Sequence, residues 1–474
     1  MTLSKSSGRL GRSVAVVVAL VLPMTLAVGV ASAVPVEHAE VNVAPALPFP
    51  VPPSPPEFDP AFYAPPSSEY APMTPGDIIA ARQVNVANYS VVPVNVDAWQ
   101  LSYRSTDSRG EPIAAVTTVL KPRGPAKDGA RKLVSFQIGE DSLARYCAPS
   151  YGLQLASVPS PLTGSATVSV EFIEIQAALA QGWAVSVPDY QGPNSAYGAG
   201  PLGGRLTLDG VRAAQRFAPL GLPGVETRVA LWGYSGGAIA TGHAAELQSS
   251  YAPELNLVGV AEGGVPASLD AVLNNGGNAA PAGLVLGSVL GLGREYPEFQ
   301  RYLDEHANPF GRALMAVKSP LCVTYQSATL PFLDIKGLLN SPGDPLDDPV
   351  VRSVIDRTRM GKVAPAAPMF IYQANMDWII PVGQVNTLVE GYCQDPSASI
   401  VYTRDHFSEH LSLPVAAAPS AVLWLRDRLD GVPATPGCTI NDVGSIALDQ
   451  RTWPAFVATV GEVLAGLFGK PIGA

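Results

Sequence analysis

Charge is scarce in this chain: Asp, Glu, Lys and Arg make up 15% of 474 residues, against 47% apolar residues. Such a composition can bury a large core and does not describe a disordered or heavily solvated polypeptide. The charge that remains is acidic, −10 in formal terms, which argues against nucleic acid or an anionic membrane surface as partner and suits a neutral substrate. Cysteine is also sparse. Cys147, Cys322, Cys393 and Cys438 include no C-x-x-C pair, so neither a zinc site nor a thioredoxin-type centre is expected. Past the first 33 residues no apolar run reaches bilayer-spanning length, 279–292 coming nearest. No internal repeat is visible.

Proline, by contrast, is abundant, with many of the 46 prolines between Pro35 and Pro75. Segment 34–75 therefore reads as an extended, polyproline-like lead over the surface, without a catalytic role. Before it stand Lys5, Arg9 and Arg12, an apolar run over about 15–30, and Ala31-Ser32-Ala33. That pattern is a secretory signal, 1–33, with an A-x-A cleavage site, a retained membrane anchor being the weaker alternative. Cleavage after Ala33 removes three cations and no anion, taking the formal charge from −10 to −13. In an exported chain an even set of cysteines favours two disulfides, of which the sequence alone allows three pairings.

From Val91 onward strand and helix signals alternate. Short apolar runs at 113–120, 133–138, 183–187, 228–232, 257–261, 369–373 and 400–402 read as strands, and 171–181, 208–217 and 421–429 as helices. This rhythm predicts an α/β fold with a mostly parallel sheet covered by helices on both faces. The residues between the strands at 257–261 and 369–373 have a different, glycine-rich and helical character. The expected division is a core of 76–262 and 366–438, an inserted cap or lid of 263–365, and a tail of 439–474.

The chemistry is announced at Gly233-Tyr234-Ser235-Gly236-Gly237, the G-x-S-x-G of a nucleophile elbow, flanked by a strand and a helix-forming stretch. A serine hydroxyl attacks only when a base takes its proton, and the base needs a carboxylate to orient it. Of five histidines, His38 falls in the lead, His243 on the helix after the elbow and His306 in the cap; His406 and His410 remain. α/β-Hydrolases carry the acid after a late strand and before the histidine, where Asp377 sits, with Asp395 and Asp405 as weaker substitutes. The oxyanion hole would use the Gly236 amide and one from Gly139-Glu140-Asp141-Ser142 after the third core strand; there is no His-Gly-Gly-Gly motif to single out the second donor.

Several longer motifs in one order make the chain, from about Phe58 to Cys438, similar to the secretory lipases of the yeast lipase A type. They are Gly-Glu-Asp-Ser-Leu-Ala-Arg-Tyr-Cys-Ala-Pro-Ser-Tyr at 139–151, Gly-Tyr-Ser-Gly-Gly at 233–237, Ser-Tyr-Ala-Pro-Glu-Leu-Asn-Leu-Val-Gly at 250–259, Gly-Gly-Val-Pro at 263–266, Asp-Trp-Ile-Ile-Pro at 377–381 and Ser-Glu-His-Leu-Ser at 408–412. The resemblance implies an α/β-hydrolase fold with an inserted, mainly helical cap. It implies Ser235, Asp377 and His410 as the catalytic triad, with His406 as runner-up, and Asp141 beside Gly236 in the oxyanion hole, through its amide and a side-chain hydrogen bond. It also implies Cys147–Cys322 and Cys393–Cys438 as the pairs, and a cap covering an acyl tunnel. Segment 279–292, with Leu284, Val285, Leu286, Val289, Leu290 and Leu292 among small residues, is either a buried cap helix or a wall of that tunnel. The lead is longer than the family suggests, and the tail after Cys438 shorter than the flap of the yeast enzymes.

The leading expectation is a secreted lipase or esterase acting on lipid esters of the triacylglycerol type. It calls for no metal or organic cofactor, and for transient contact with a lipid interface but no stable membrane anchor after signal cleavage. An exported acyltransferase with the same triad is the alternative, separable by assay with a competing alcohol. A catalytically silent binding protein is a third, removed by any ester turnover that a serine-directed phosphonate abolishes.

Overall fold

The computed structural model describes residues 42–45, 51–126 and 129–473, within one compact unit. The expected signal segment and its cleavage site lie outside the described residues. The centre is an 11-stranded sheet made of β1 (Val43–Ala44), β2 (Ile78–Gln83), β3 (Asp97–Thr106), β4 (Pro112–Lys121), β5 (Leu133–Gln137), β6 (Ala184–Pro188), β7 (Val229–Tyr234), β8 (Leu257–Gly263), β9 (Met369–Ala374), β10 (Ser399–Asp405) and β11 (Gly437–Val443). Their spatial order is β1-β2-β3-β4-β6-β5-β7-β8-β9-β10-β11. All pairings from β6 through β11 are parallel, whereas β2, β3, β4 and β6 join antiparallel.

β5, β6, β7 and β9 are buried along their whole length, as their near-continuous apolar sequences require of parallel strands covered on both faces. The principal helices are α1 (Ala166–Ala180), α2 (Gly200–Arg216), α3 (Gly236–Tyr251), α4 (Ala282–Glu295), α5 (Leu413–Leu429) and α6 (Trp453–Leu467). Strand side chains alternate between two cores: Leu133 and Leu231 pack with α2 and α3, while Val134, Phe136 and Trp232 pack with α1 and α5. α4 belongs to a mainly helical segment between β8 and β9, and its buried leucines join the α2/α3 core. α6 lies against α1 and α5.

Several elements differ from their sequence expectations. The lead is not simply extended: it contains the helical turns Pro60–Tyr63 and Ser67–Tyr70, and Phe62 and Tyr63 are buried. Pro60 starts its turn, where a missing N–H costs nothing. α1 begins five residues earlier than 171, and its Glu171 and Glu174 are buried rather than facing water. α2 begins at Gly200, its first turn hidden among glycines and a proline. β3 escaped notice because Gln100, Ser102 and Ser105 are buried along with its apolar residues, and β11 because it is a largely exposed edge strand. The four cysteines form two disulfides, Cys147–Cys322 and Cys393–Cys438, with Cα separations of 5.6 and 6.0 Å.

Candidate active site

Ser235 ends β7 and opens α3 with φ 51° and ψ −120°, a conformation that a side chain larger than glycine's occupies only under constraint. Two features impose it. The Ser235 N–H donates to the Gly263 carbonyl at 2.9 Å, and α3 crosses β5 so closely that any Cβ on Gly237 would overlap the Gln137 carbonyl. The hydroxyl is thereby held at the carboxyl edge of the parallel strands, where ligand sites of open α/β sheets gather.

His410 stands over it. Its Nε2 lies 2.8 Å from Ser235 Oγ and its Nδ1 2.7 Å from Asp377 Oδ2. Asp377 follows β9; its Oδ1 accepts the N–H groups of Ile379 at 2.9 Å and Ile380 at 2.7 Å, and its Oδ2 accepts Gln373 Nε2 at 2.9 Å. Four donors and no acceptor surround this carboxyl, the pattern an ionised carboxylate satisfies. Tyr234 donates its hydroxyl to the His410 carbonyl at 2.7 Å, fixing the loop that carries the imidazole.

The other candidates lie apart. His406 is exposed, against Asn375 at 2.9 Å and Asp442 at 3.4 Å. Asp405 is buried but accepts the N–H groups of Phe407, Ser408 and Ile446, so it shapes the histidine loop. Asp395 binds Ser397 on the surface. His243 is buried with Nδ1 on the Ile239 carbonyl at 2.8 Å, burial pushing its imidazole down to about 4. His306 stacks on Tyr302 in the helix Pro297–His306.

Beside Gly236, the residue after the serine, Asp141 adopts φ 42° and is buried. Its Oδ1 sits so near the Gly236 Cα that a Cβ there would overlap it, and that oxygen has no partner. Burial raises the Asp141 carboxyl to about 7, the charge of His410 opposing the rise. Its backbone N–H is 3.0 Å from the Gln191 side-chain oxygen once that amide is turned so that its nitrogen donates to the Ser142 carbonyl at 2.6 Å. With the amide so turned, Gln191 takes the Asp141 N–H and the unpartnered group beside Gly236 is the carboxyl oxygen. Gln191, Gln373 and the Tyr234 hydroxyl were not singled out from sequence; the one signal was that each sits at, or within three residues of, the carboxyl end of a buried strand. The helical segment braces the same loop: Val323 N–H donates to Ser142 Oγ at 3.1 Å, Arg294 donates to the Leu143 carbonyl, and Cys147 is bonded to Cys322.

The small residues of α4 seat the helix against neighbouring backbone. Added carbons at Gly283 and Gly291 would overlap the carbonyls of Thr329 and Gln326 and the Tyr197 backbone. Glycine is there because helix and backbone touch. Met376, Trp378, Phe407 and Leu411 form exposed apolar side chains around the histidine loop, Trp378 donating to Glu409 at 3.0 Å. Among the described residues no His, Cys, Asp and Glu cluster could hold a metal ion, and no helix is long and apolar enough to cross a membrane.

A mostly parallel sheet of this order, with a strained serine at a strand-to-helix turn and histidine and aspartate on later loops, defines an α/β-hydrolase. The chain belongs to the secretory lipase family, whose model matches residues 156–437. It is 37% identical over 428 residues to lipase A of Arthroderma benhamiae, covering 89% of this chain and 90% of that one. A Mycobacterium tuberculosis protein named a probable inactive lipase is 37% identical over 402 residues, 85% of this chain and 86% of its own. The crystal structure of Candida antarctica lipase A in its closed state superposes with a TM-score of 0.78 at 28% identity, covering 89% of this chain and 99% of that one. The protein is a carboxylic ester hydrolase.

Proposed function

We propose that this chain is a secreted serine lipase that hydrolyses lipid esters, triacylglycerols among them, through an acyl-serine intermediate. The observation that carries the reading is the imidazole of His410 placed 2.8 Å from Ser235 Oγ and 2.7 Å from Asp377. Ser235 Oγ attacks the ester carbonyl carbon while His410 Nε2 takes the hydroxyl proton; Asp377 holds the ring and stabilises the imidazolium. The carbonyl oxygen, now an anion, is met by the Gly236 N–H and by the Asp141 carboxyl in its protonated form. Collapse expels the alcohol, which receives the proton from His410, and water deprotonated by the same nitrogen releases the fatty acid.

The apolar side chains of Trp378, Leu411 and Phe407 around the histidine loop support a lipid-ester substrate and brief contact with a lipid interface. Residues 1–33 serve as the export signal and 263–365 as the cap. Labelling with a serine-directed phosphonate tests the mechanism: the adduct should map to Ser235 with loss of tributyrin hydrolysis. Hydrolysis that survives stoichiometric labelling, or a chain that neither labels nor turns over tributyrin, would overturn it. N-terminal sequencing of the exported protein should begin at Val34.

A further inference from the structure

α1, α5 and α6 do not close on one another. Between them runs a groove of about 270 Å³ lined by Val170, Ile173, Val415, Val422, Val460 and Val463, and none of Ser235, Asp377 or His410 borders it. Val170, Ile173 and Val415 are about half exposed there. From Trp453 to Phe468 the only charged residue is Glu462, whose carboxylate accepts the Gly473 N–H at 2.9 Å. Packed helices normally interdigitate to the density of the interior, so an aliphatic cleft of this size is a site for an apolar guest.

Two polar side chains, Glu174 and Thr459, interrupt the apolar wall, and only the first is ionisable. Glu174 of α1 lines the groove, is 8% exposed, and its Oε2 is enclosed without a hydrogen-bond partner. Its neighbour Glu171, on the same helix, is occupied by the Gly139 N–H at 3.0 Å. A buried oxygen left without a partner is costly and calls for one. Burial pushes the Glu174 carboxyl up to about 8, so at neutral pH it both donates and accepts. No lysine or arginine lines the groove, which disfavours a carboxylate, sulfate or phosphate head. The volume is below the usual range of drug-sized pockets and suits one chain, not a diacyl lipid or a helix.

We propose that the groove between α1, α5 and α6 binds a single alkyl chain bearing a hydroxyl head, the chain between the valines and the hydroxyl on Glu174. A fatty alcohol and a monoacylglycerol share this chemistry. The site is separate from the ester-cleaving centre and does not depend on it, so it is tested in the full-length Ser235→Ala chain by titration calorimetry with 1-decanol, 1-decanoylglycerol and decanoate.

Saturable binding of 1-decanol or 1-decanoylglycerol at one site is expected, with decanoate roughly tenfold weaker or worse; the alcohol that binds identifies the source. Ala177→Trp and Ala418→Trp, which fill the groove from two walls, should each weaken binding at least tenfold. In the otherwise wild-type chain they should leave p-nitrophenyl butyrate hydrolysis within about twofold, which reports the fold. Glu174→Leu should weaken 1-decanol binding roughly tenfold by removing the partner of its hydroxyl, whereas Glu174→Gln should keep it within about threefold of the parent, a readout that survives if a tryptophan variant misfolds. The proposal is overturned by unchanged affinity in correctly folded groove-filled variants, by decanoate binding as tightly as 1-decanol, by Glu174→Leu binding 1-decanol as tightly as the parent, or by absence of saturable binding. Accumulation on phosphatidylcholine vesicles without binding of the monomeric alcohols would also overturn it, assigning the surface to a bilayer instead.

Discussion

Two loops face the same serine and treat a buried carboxyl in opposite ways. After β9, Asp377 is surrounded by four donors, two of them backbone N–H groups. After β5, Asp141 is equally enclosed but its Oδ1 meets no donor, and burial raises its carboxyl to about 7. The hydrogen-bond supply, rather than burial, separates them: one loop surrounds its carboxyl with donors, the other leaves a carboxyl oxygen without one, which under the proposed mechanism suits the first to orient the imidazole and the second to donate. In the proposed mechanism the same residue type thus serves both ends of one reaction, each role set by the turn around it.

The harshest break of this comparison is removal of what both loops serve. Ser235→Ala should lower kcat on the order of a million-fold, and His410→Ala should do the same with the double variant hardly worse, since such groups act as a unit. Purified variants with unchanged circular dichroism and activity within tenfold of the parent would refute the site.

The two aspartates then part company. Asp377→Asn should cost about 10⁴ in kcat, because an amide has one acceptor oxygen in place of two and its NH2 group reverses the imidazole tautomer. Asp141→Ala should cost roughly 10² to 10³, yet Asp141→Asn should stay within about tenfold of wild type, since an amide donates and asparagine tolerates positive φ. Equal losses for the two asparagine variants would erase the distinction between the loops.

Proton dependence sharpens it further. Asp141 donates only when protonated, so its contribution to kcat/KM is present below about pH 7 and falls as pH rises through that value. The Asp141→Asn variant should lack this alkaline decline, which a pH–rate profile on a neutral ester would reveal.

The smallest effect concerns stability. Asp141, Asp189, Glu174 and Glu262 have carboxyls raised to about 7, 7, 8 and 8 by burial. The folded chain therefore keeps protons the unfolded chain has lost, and stability falls as pH rises from about 4 through about 8. Tm should decline over that window, and Glu262→Gln, which neutralises a carboxyl with both oxygens unpartnered, should flatten the decline by roughly a few degrees. A steeper decline in the variant would count against this account. His406→Ala, at an exposed ring, should change neither Tm nor turnover appreciably.

Much of this arrangement was legible in residue order. The buried strands read as apolar runs because parallel strands covered on both faces have no polar side, and Gly233, Ser235 and Gly237 read as an elbow because few sequences meet that turn's steric demand. What stayed illegible has common causes. β3 carries buried polar residues, β11 is an exposed edge, and the first turn of α2 is spelled in glycine, so none offers an apolar period. The prolines of the lead look extended in sequence, but Pro60 begins a helical turn only because Phe62 and Tyr63 find a core to enter.

The sequence by itself determined the parallel α/β architecture, the position of the nucleophilic turn and the residue types that could serve it, since backbone sterics and hydrophobic periodicity are local properties. Only the tertiary structure decided between residues of identical chemistry. His410 rather than His406 faces Ser235 because Asp405 caps the turn between them. Gly283 and Gly291 seat α4 against backbone, and Asp141 presents its carboxyl because Gln191, from the loop after another strand, has taken its amide. These outcomes rest on contacts between segments distant in the chain, and pairwise geometry of that kind is fixed only when the whole core has packed.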